Sequence, residues 1–482
     1  MHWIKRIVMV CLLLGCFLIV EGQKFVSMEF LVSYSKQEII AAAGIPAIND
    51  TDVYKIRYTS RDLDGNPDTL SGIIAVPVTE NLDHPLLIYA HGTVASREAV
   101  PSRLSSEHFL VAIFGSLGYF SLGPDFLGLG DSKVFHPYVH ADSEAWSCYD
   151  MIKAIRTSAE ENEFFINNQN FIFGYSQGGH VAMALHRFME LENPDGYEVT
   201  ASAPSSGPYS ISEEMVEFTL GDEEYFSPAF LPYTALSYQA AYGNILENDD
   251  LSSFFIDEYV PDMIRFKNEE IDLFELNDLL INRLVANHGK SLPKMMIRES
   301  ILDDIFNNPE SPVSMALADN DVYDWSPQAP TRLYYCSGDD VVGPGNTVLA
   351  DQVMNANGGA DIGSLDLGAD RNHTQCVPNA LSLAIFFFDA YKNVTSSTLT
   401  PIENNELVIF PNPASDQLII SSGVNSTQSG TLQVIDITGQ RMMQTSWNKN
   451  EAIDISLLMK GHYLVLLNTG TSTEVHRLVI ID

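Results

Sequence analysis

A serine flanked by glycines constrains this chain more than any other feature. The apolar run 171–173 ends abruptly in Gly174-x-Ser176-x-Gly178, and apolar residues at helical spacing follow. This pattern predicts a strand, a very tight turn at the serine and then a helix. The glycines are needed because Cβ atoms would collide across so sharp a turn. The five-residue pattern alone is common, but in this context it indicates that the Ser176 hydroxyl projects from the top of a sheet.

Strands and helices alternate on both sides of this turn. Strand patterns cover 85–90, 119–122, 171–175, 199–203, 331–335 and 365–367, and helix patterns cover 107–117, 144–157, 177–190, 348–354 and 380–391. The alternation predicts an α/β fold with a mainly parallel sheet and helices on both faces. A hairpin of 53–59 and 70–78 precedes it. Ligands of such sheets bind beyond the carboxyl ends of the strands, where Ser176 and 91–93 are both expected.

The alternation stops between 209 and 329. This acidic segment has helical patterns and two aromatic–apolar patches, at 230–236 and 238–242. It is predicted to be a helical insertion with its own small core, or a lid whose inner face lines an acyl or aromatic pocket. The two interpretations are compatible. We therefore expect a helical lid insertion at 209–329 within a catalytic domain at 23–396.

The residues after the serine include candidates for a base and an acid. A serine hydroxyl becomes nucleophilic when an imidazole takes its proton, and a carboxylate orients that imidazole. In a fold of this kind the acid and then the histidine follow the serine along the chain. Asp339 comes just after a strand, and His373 follows it by one helix and one strand, in a polar loop at 371–376. Asp340 is the alternative acid, but Val342 turning back toward the core favours Asp339. The predicted catalytic residues are Ser176, Asp339 and His373.

Such a site also needs two backbone N–H groups to stabilise a negatively charged oxygen. One is expected from Gln177, the residue after the serine, and the other from the loop after the strand 85–90. In that loop Thr93 is the preferred residue and Val94 the alternative. His91 precedes the serine, so it is expected to shape this oxyanion hole.

Three cysteines lie beyond the N-terminal segment. Cys336 is three residues before the predicted acid, and Cys376 is three after the predicted base. If the acid and the base meet, these two loops are neighbours, so we predict a Cys336–Cys376 disulfide, as an exported protein permits. Cys148 lies in a helical pattern and is expected to be a buried thiol. No cluster has metal-ligand spacing, and neither a metal nor a cofactor is expected.

The two ends of the chain differ in character from the centre. Lys5 and Arg6 precede the apolar run 7–20, which predicts a signal peptide at 1–22. Cys16 faintly resembles a lipoprotein cleavage site, but apolar residues follow it where a polar tether is expected. At the other end a polar linker at 397–406 leads to short strands and turns at 407–482, which predict a small β-sandwich. A net charge of −37 argues against nucleic acid as a partner.

These motifs together resemble the α/β-hydrolase superfamily over about 25–393. Within it, the chain is similar to secreted lipase- and esterase-like hydrolases with a helical lid. The resemblance is carried by the motifs 89–93, 124–131, 174–178 and 335–339, and by His373 with Cys376. It implies cleavage of carboxylic esters of small molecules or lipids through an acyl-enzyme, without a cofactor. Thr374-Gln375 departs from the pattern, where small glycines are expected. A serine peptidase of the same fold and a surface binding protein that has lost the chemistry are the alternatives.

The tail resembles the C-terminal sorting domain of the type nine secretion system of Bacteroidetes. Phe410-Pro411-Asn412-Pro413 and the segments 434–440 and 461–465 carry this resemblance. It implies that the secretion machinery is a partner, and that export across both membranes is followed by release or surface attachment. A carbohydrate-binding sandwich is the alternative interpretation.

Overall fold

The computed structural model describes residues 24–79, 82–396, 408–410, 414–421, 429–436, 441–469 and 473–480. The chain divides into two compact units, Met1–Ser397 and Thr398–Asp482. The predicted signal peptide at 1–22 and the predicted linker at 397–406 lie outside the described residues. Within the described residues, no helix has both the length and the apolar character needed to cross a membrane.

A large mixed sheet forms the centre of the first unit. Its described strands are β1 (Phe25–Tyr34), β2 (Thr51–Arg61), β3 (Pro67–Pro77), β4 (Leu82–Ala90), β5 (Phe120–Pro124), β6 (Ile166–Tyr175), β7 (Ala201–Ser205), β8 (Thr331–Tyr335), β9 (Ile362–Asp366) and β10 (Thr395–Ser396). They lie in the order β1-β2-β3-β5-β4-β6-β7-β8-β9, and β10 pairs with β4. Pairing is antiparallel from β1 through β3 to β5 and parallel from β5 to β9. The predicted mainly parallel sheet is confirmed.

Helices cover both faces of this sheet. The described helices are α1 (Lys36–Ala43), α2 (Ser106–Ser116), α3 (Ala141–Thr157), α4 (Gln177–Leu191), α5 (Val216–Leu220), α6 (Phe230–Tyr242), α7 (Val260–Lys267), α8 (Leu273–His288), α9 (Glu299–Asn307), α10 (Pro312–Asp319), α11 (Gly345–Ala356) and α12 (His373–Asp389). In β6, Phe173 packs in the core beneath α2 and α12, whereas Ile172 packs in the core beneath α3 and α4. Successive side chains of a strand point to opposite faces, so a strand buried on both faces is apolar throughout.

The helices α5 to α10 lie between β7 and β8. They enclose a hydrophobic cluster of their own, with Tyr238, Phe255 and Leu280 among its buried members. The same cluster includes Tyr138 and Val139 from the loop before α3. The inserted helices therefore pack against the loop that leads from β5 into α3.

The start of α12 differs from the expected polar loop at 371–376. The Asn372 side chain accepts a hydrogen bond from Gln375 N at 3.1 Å, and Asn372 N donates to Gln375 Oε1 at 3.1 Å. This capping box starts a helix at His373, seven residues before the predicted start at 380. The pair also explains the departure from glycine at 374–375, because Gln375 closes the cap.

The first strand of the sheet was not predicted. β1 pairs with β2 at the edge of the sheet, and side chains on its outer surface are exposed, including those of Val26, Met28 and Phe30. Apolar residues therefore fall on its solvent side as well as its inner side. This removes the alternation of apolar and polar residues by which a half-buried strand is recognised.

The second unit is a small β-sandwich, as predicted. Its described strands are β11 (Val408–Phe410), β12 (Gln417–Ser421), β13 (Ser429–Asp436), β14 (Arg441–Asn448), β15 (Ala452–Asp454), β16 (Gly461–Asn468) and β17 (Thr473–Ile480). They form two antiparallel sheets, β11-β12-β15 and β14-β13-β16-β17. Buried residues of both sheets, such as Leu418, Leu432 and Val465, share one hydrophobic cluster.

Candidate active site

Ser176 occupies the turn between β6 and α4. Its φ of 62° and ψ of −126° lie outside the regions that side chains other than glycine normally adopt. A Cβ atom at Gly174 would lie 1.9 Å from the Gly178 carbonyl oxygen, and one at Gly178 would lie 2.0 Å from the Ala90 carbonyl oxygen. Both glycines are therefore required by close backbone contacts. Strain of this kind is kept at functional sites when the surrounding structure enforces it.

His373 and Asp339 are in direct contact. The Nδ1 atom of His373 lies 2.7 Å from Asp339 Oδ2. The other oxygen of Asp339 accepts hydrogen bonds from the backbone N–H groups of Val341 and Val342, at 2.9 and 2.8 Å. The carboxylate thereby holds the proton of the imidazole on Nδ1 and leaves Nε2 as an acceptor. That Nε2 atom is buried and has no hydrogen-bond partner.

The alternative acid, Asp340, has a different contact. Its Oδ1 atom accepts a hydrogen bond from the backbone N–H of His373 at 3.1 Å, at the first residue of α12. Asp340 therefore binds the helix start, and Asp339 binds the imidazole ring.

Tyr175 connects the histidine to the turn that holds Ser176. Its hydroxyl donates a hydrogen bond to the His373 carbonyl oxygen at 2.7 Å, and the two rings are 5.0 Å apart. Because Tyr175 directly precedes Ser176, this contact fixes the start of α12 to the end of β6. This contact could not be predicted from the sequence, because a tyrosine at the end of a buried strand is equally consistent with simple packing.

The loop after β4 passes beside the serine. A Cβ atom at Gly92 would lie 3.8 Å from Ser176 Cβ. Thr93 follows, and its hydroxyl lies 3.1 Å from the Tyr138 hydroxyl. The His91 ring stacks on Phe126 with centroids 4.2 Å apart, and its Nδ1 donates to the Gly92 carbonyl oxygen at 2.7 Å. His91 therefore braces this loop, which agrees with its expected role in shaping it.

Gln177 is the first residue of α4. Its backbone N–H has no carbonyl partner within the helix, because the first N–H groups of a helix have no preceding turn. The positive end of the helix dipole lies at the same place. Both features suit a group that stabilises negative charge near Ser176.

Three buried polar residues around Gln177 were not predicted from the sequence, namely His136, Glu144 and His180. The Gln177 side-chain nitrogen lies 2.9 Å from His136 Nε2 and 3.0 Å from Glu144 Oε1. Glu144 Oε2 lies 2.6 Å from His180 Nδ1. Burial lowers the pKa of His136 to about 4. The available signal was that Glu144 and His180 lie on the apolar faces of their predicted helices, where a charged group is rarely buried without a partner.

An apolar cavity of about 110 Å³ opens onto Ser176 and Gln177. Its other walls come mainly from the inserted helices and the segments between them. They include Met215, Leu220, Phe230, Leu231, Phe254, Ile305 and Leu317. Among the described residues that line it, there is no Asp, Glu, Lys or Arg. The cavity is therefore suited to an apolar chain attached to a group at Ser176.

The predicted disulfide between Cys336 and Cys376 is present, and Cys148 is a buried thiol. The bond joins the segment after β8, which contains Asp339, to the first turn of α12, which contains His373. In the described part of the chain, no group of three or more His, Cys, Asp or Glu residues is arranged to hold a metal ion.

Comparison with known proteins identifies the second unit. Residues 408–481 match the family described as "Secretion system C-terminal sorting domain". No curated protein matches the chain.

Solved structures resemble the first unit. A protein of Legionella pneumophila that is assigned to the hydrolases has a TM-score of 0.69 and 25% identity, over 76% of this chain and 98% of that one. The rice cell wall degrading esterase LipA of Xanthomonas oryzae has a TM-score of 0.65 and 26% identity, over 76% of this chain and 97% of that one. Candida antarctica lipase A has a TM-score of 0.55 and 11% identity, over 79% of this chain and 85% of that one. At this identity the likeness shows the fold alone.

The chain therefore has the α/β-hydrolase fold, and its neighbours in structure support carboxylic ester hydrolysis as its general activity. It carries a type nine secretion sorting domain at its C-terminal end, which indicates secretion and attachment at the cell surface.

The disulfide should contribute strongly to stability. It closes a loop over a sequence separation of 40 residues. Replacing both Cys336 and Cys376 by serine should lower the free energy of unfolding by about 4 kcal/mol, from the chain entropy of such a loop. Urea unfolding of the double variant measures this. Cys148→Ala, which removes a thiol but no cross-link, is the control. Equal stability of the double variant and the wild type would contradict the expectation.

Burial of His136 should make stability depend on pH. The folded pKa, about 4, lies below the ordinary 6.5. The resulting stability is present above pH 6.5 and is lost as the pH falls toward 4, since the unfolded chain then binds the proton more strongly. Between about pH 7 and about pH 4.5, the wild type should lose about 2 kcal/mol more unfolding free energy than His136→Gln. Urea titrations at both pH values test this, and parallel losses would refute it.

Proposed function

We propose that this chain is an exported serine hydrolase that cleaves carboxylic esters through an acyl-enzyme on Ser176. One observation carries the proposal. The His373 ring is fixed to Asp339 through Nδ1, while its buried Nε2 has no partner and can accept a proton. A buried polar atom without a hydrogen bond is costly, so it indicates a group that belongs there during function.

In the proposed reaction, His373 Nε2 accepts the proton of the Ser176 hydroxyl as its oxygen attacks the ester carbonyl carbon. The carbonyl oxygen becomes negatively charged, and the backbone N–H groups of Gln177 and Thr93 stabilise it. His373 then gives the proton to the departing alcohol. Water repeats the sequence on the acyl-enzyme and releases the acid. Asp339 stabilises the imidazolium through one oxygen, while its second oxygen accepts two backbone hydrogen bonds that hold the carboxylate in place.

The apolar cavity supports an ester with an apolar acyl part. Its lid walls are mainly apolar, with Leu220, Phe230 and Phe254 among them, and they suit an apolar chain bound at Ser176. A peptidase of this fold would need a charged group to anchor a peptide terminus, and the described lining supplies none. A binding protein without chemistry would have no use for a strained serine or for a buried imidazole nitrogen without a partner.

The second unit supports the proposal that the protein is exported. The sorting domain at 408–481 is a partner of the type nine secretion machinery. Every described residue that lines the apolar cavity lies between Tyr138 and Val342, so this lining comes from the first unit.

Hydrolysis of p-nitrophenyl acetate, butyrate, octanoate and palmitate tests the proposal. Ser176→Ala and Asp339→Asn should each lower kcat by about 10⁴-fold or more, since each removes a member of the proton-transfer system. Ser337→Ala and Asp340→Asn are matched controls from the acid loop. Asp340→Asn keeps an oxygen that can accept the His373 N–H, so its kcat should stay within about 3-fold of the wild type.

Two results would contradict the proposal. One is turnover by Ser176→Ala equal to that of the wild type. The other is failure on every ester together with cleavage of aminoacyl amides, which would indicate the peptidase instead. The ester cleaved fastest defines the acyl preference.

A further inference from the structure

A network of buried polar side chains includes Gln177, the residue that follows the proposed nucleophile. Its members are Glu144, His180, Gln177 and His136, with exposures of 1%, 0%, 2% and 4%. Glu144 is central, since its carboxylate contacts the Gln177 side chain, His180 and the backbone N–H of Val139, at 3.0, 2.6 and 3.2 Å. A buried carboxylate is tolerated only when such partners satisfy it.

The hydrogen-bond donors of this network can be assigned. His136 Nδ1 lies 2.6 Å from the Leu127 carbonyl oxygen, so Nδ1 donates and Nε2 accepts from the Gln177 amide. His180 Nε2 lies 2.9 Å from the Asn320 carbonyl oxygen and therefore donates to it. Because a hydrogen bond needs a hydrogen, one proton must also lie between His180 Nδ1 and Glu144 Oε2. Both hydrogens of the Gln177 amide are used, one toward His136 and one toward Glu144.

The network connects three parts of the chain. Gln177 and His180 form the first turn of α4, and His136 and Val139 belong to the loop before α3. Asn320 ends α10 of the inserted segment, and its side chain also accepts the backbone N–H of Ala141 at 2.8 Å. A fully satisfied polar network of this kind holds its members in one arrangement.

Gln177 links this network to the proposed oxyanion hole. Its side chain is held by the network, while its backbone N–H is the proposed donor to the charged oxygen. Donors of this kind act through fixed geometry, and a displacement of about 1 Å can cost about 10²-fold in rate. Nothing in the proposed proton transfer uses Glu144 itself.

We propose that Glu144 is a positioning residue for ester hydrolysis: by holding the Gln177 side chain, it fixes the Gln177 N–H in the direction of the developing oxyanion. The inference rests on the proposed function. Through His180 and Asn320, the same carboxylate also ties this donor to the inserted helices that line the cavity. One buried side chain thus fixes the position of the oxyanion donor relative to the apolar cavity.

A double-mutant cycle tests this. Gln177→Met keeps the backbone N–H and the length of the side chain but removes both hydrogen bonds. Glu144→Met removes the carboxylate oxygen that accepts from Gln177 and keeps the length of the side chain. Each should lower kcat by about 10-fold with KM within about 2-fold, since the lost stabilisation exists mainly in the transition state. The double variant should be no slower than the slower single variant, because both changes act through one donor.

A second readout separates positioning from general stability. A trifluoromethyl ketone forms a tetrahedral adduct whose oxygen is negatively charged, so its Ki should rise about 10-fold in both variants. Asp150→Asn is the matched control, because Asp150 is a buried carboxylate of the same helix that contacts Ser60. It should leave kcat and this Ki unchanged. The thermal unfolding of every variant is measured first, and its assays are run below the temperature at which it unfolds.

The outcomes are distinct. Unchanged kcat and Ki in a folded Gln177→Met variant would overturn the positioning role, and so would additive losses in the double variant. If Glu144→Met does not fold, Gln177→Met alone decides. A wild-type protein that cleaves no ester and does not bind the ketone would instead refute the proposed function.

Discussion

The strained backbone at Ser176 is the constraint on which the rest of the site depends. Its φ of 62° is held by backbone atoms that approach too closely for any side chain at Gly174 or Gly178. The approach requires β4 and β6 to be neighbours, because the Ala90 carbonyl oxygen at the end of β4 forms one of the contacts. The large parallel sheet is therefore what sustains the strain, and the strain is what presents the serine.

The groups proposed to act with the serine come from separate parts of the chain. Parallel strands place the loops after β4 and β6 at one edge, and the segment after β8 at the same edge. Cross-links then fix them: the Cys336–Cys376 bond, the Tyr175 hydrogen bond to His373 and the Asp339 contact to its ring. Positions held by several independent contacts lose little conformational entropy during the reaction, which is the basis of preorganisation.

Much of this arrangement could be predicted from the sequence, since its signals are local. The turn at Ser176 requires glycines, and the positions of Asp339 and Cys336 follow from a strand that ends just before them. His373 was predicted as a loop residue, but the Asn372–Gln375 capping box makes it the first residue of α12. That pair is a short-range signal which the expected loop pattern obscured.

The buried network could not be predicted, because it depends on which faces of separate elements meet. Glu144 and His180 lie on different helices, and Asn320 lies well over a hundred residues further along the chain. In the sequence, Asn320 stands between two aspartates and Glu144 follows Asp142-Ser143, so neither is marked as a buried residue. Only packing of α3 and α4 under the inserted helices brings them together. The inserted helices also line the apolar cavity, so the cavity and the network depend on the same packing.

Covalent labelling by a fluorophosphonate is the most direct test of the central claim. The reagent reacts with a serine whose hydroxyl proton is removed by a nearby base. We expect one adduct per chain, mapped by peptide mass spectrometry to Ser176, and a labelling rate that falls by about 10³-fold or more in His373→Ala. Labelling at another residue, or an unchanged rate in His373→Ala, would contradict it.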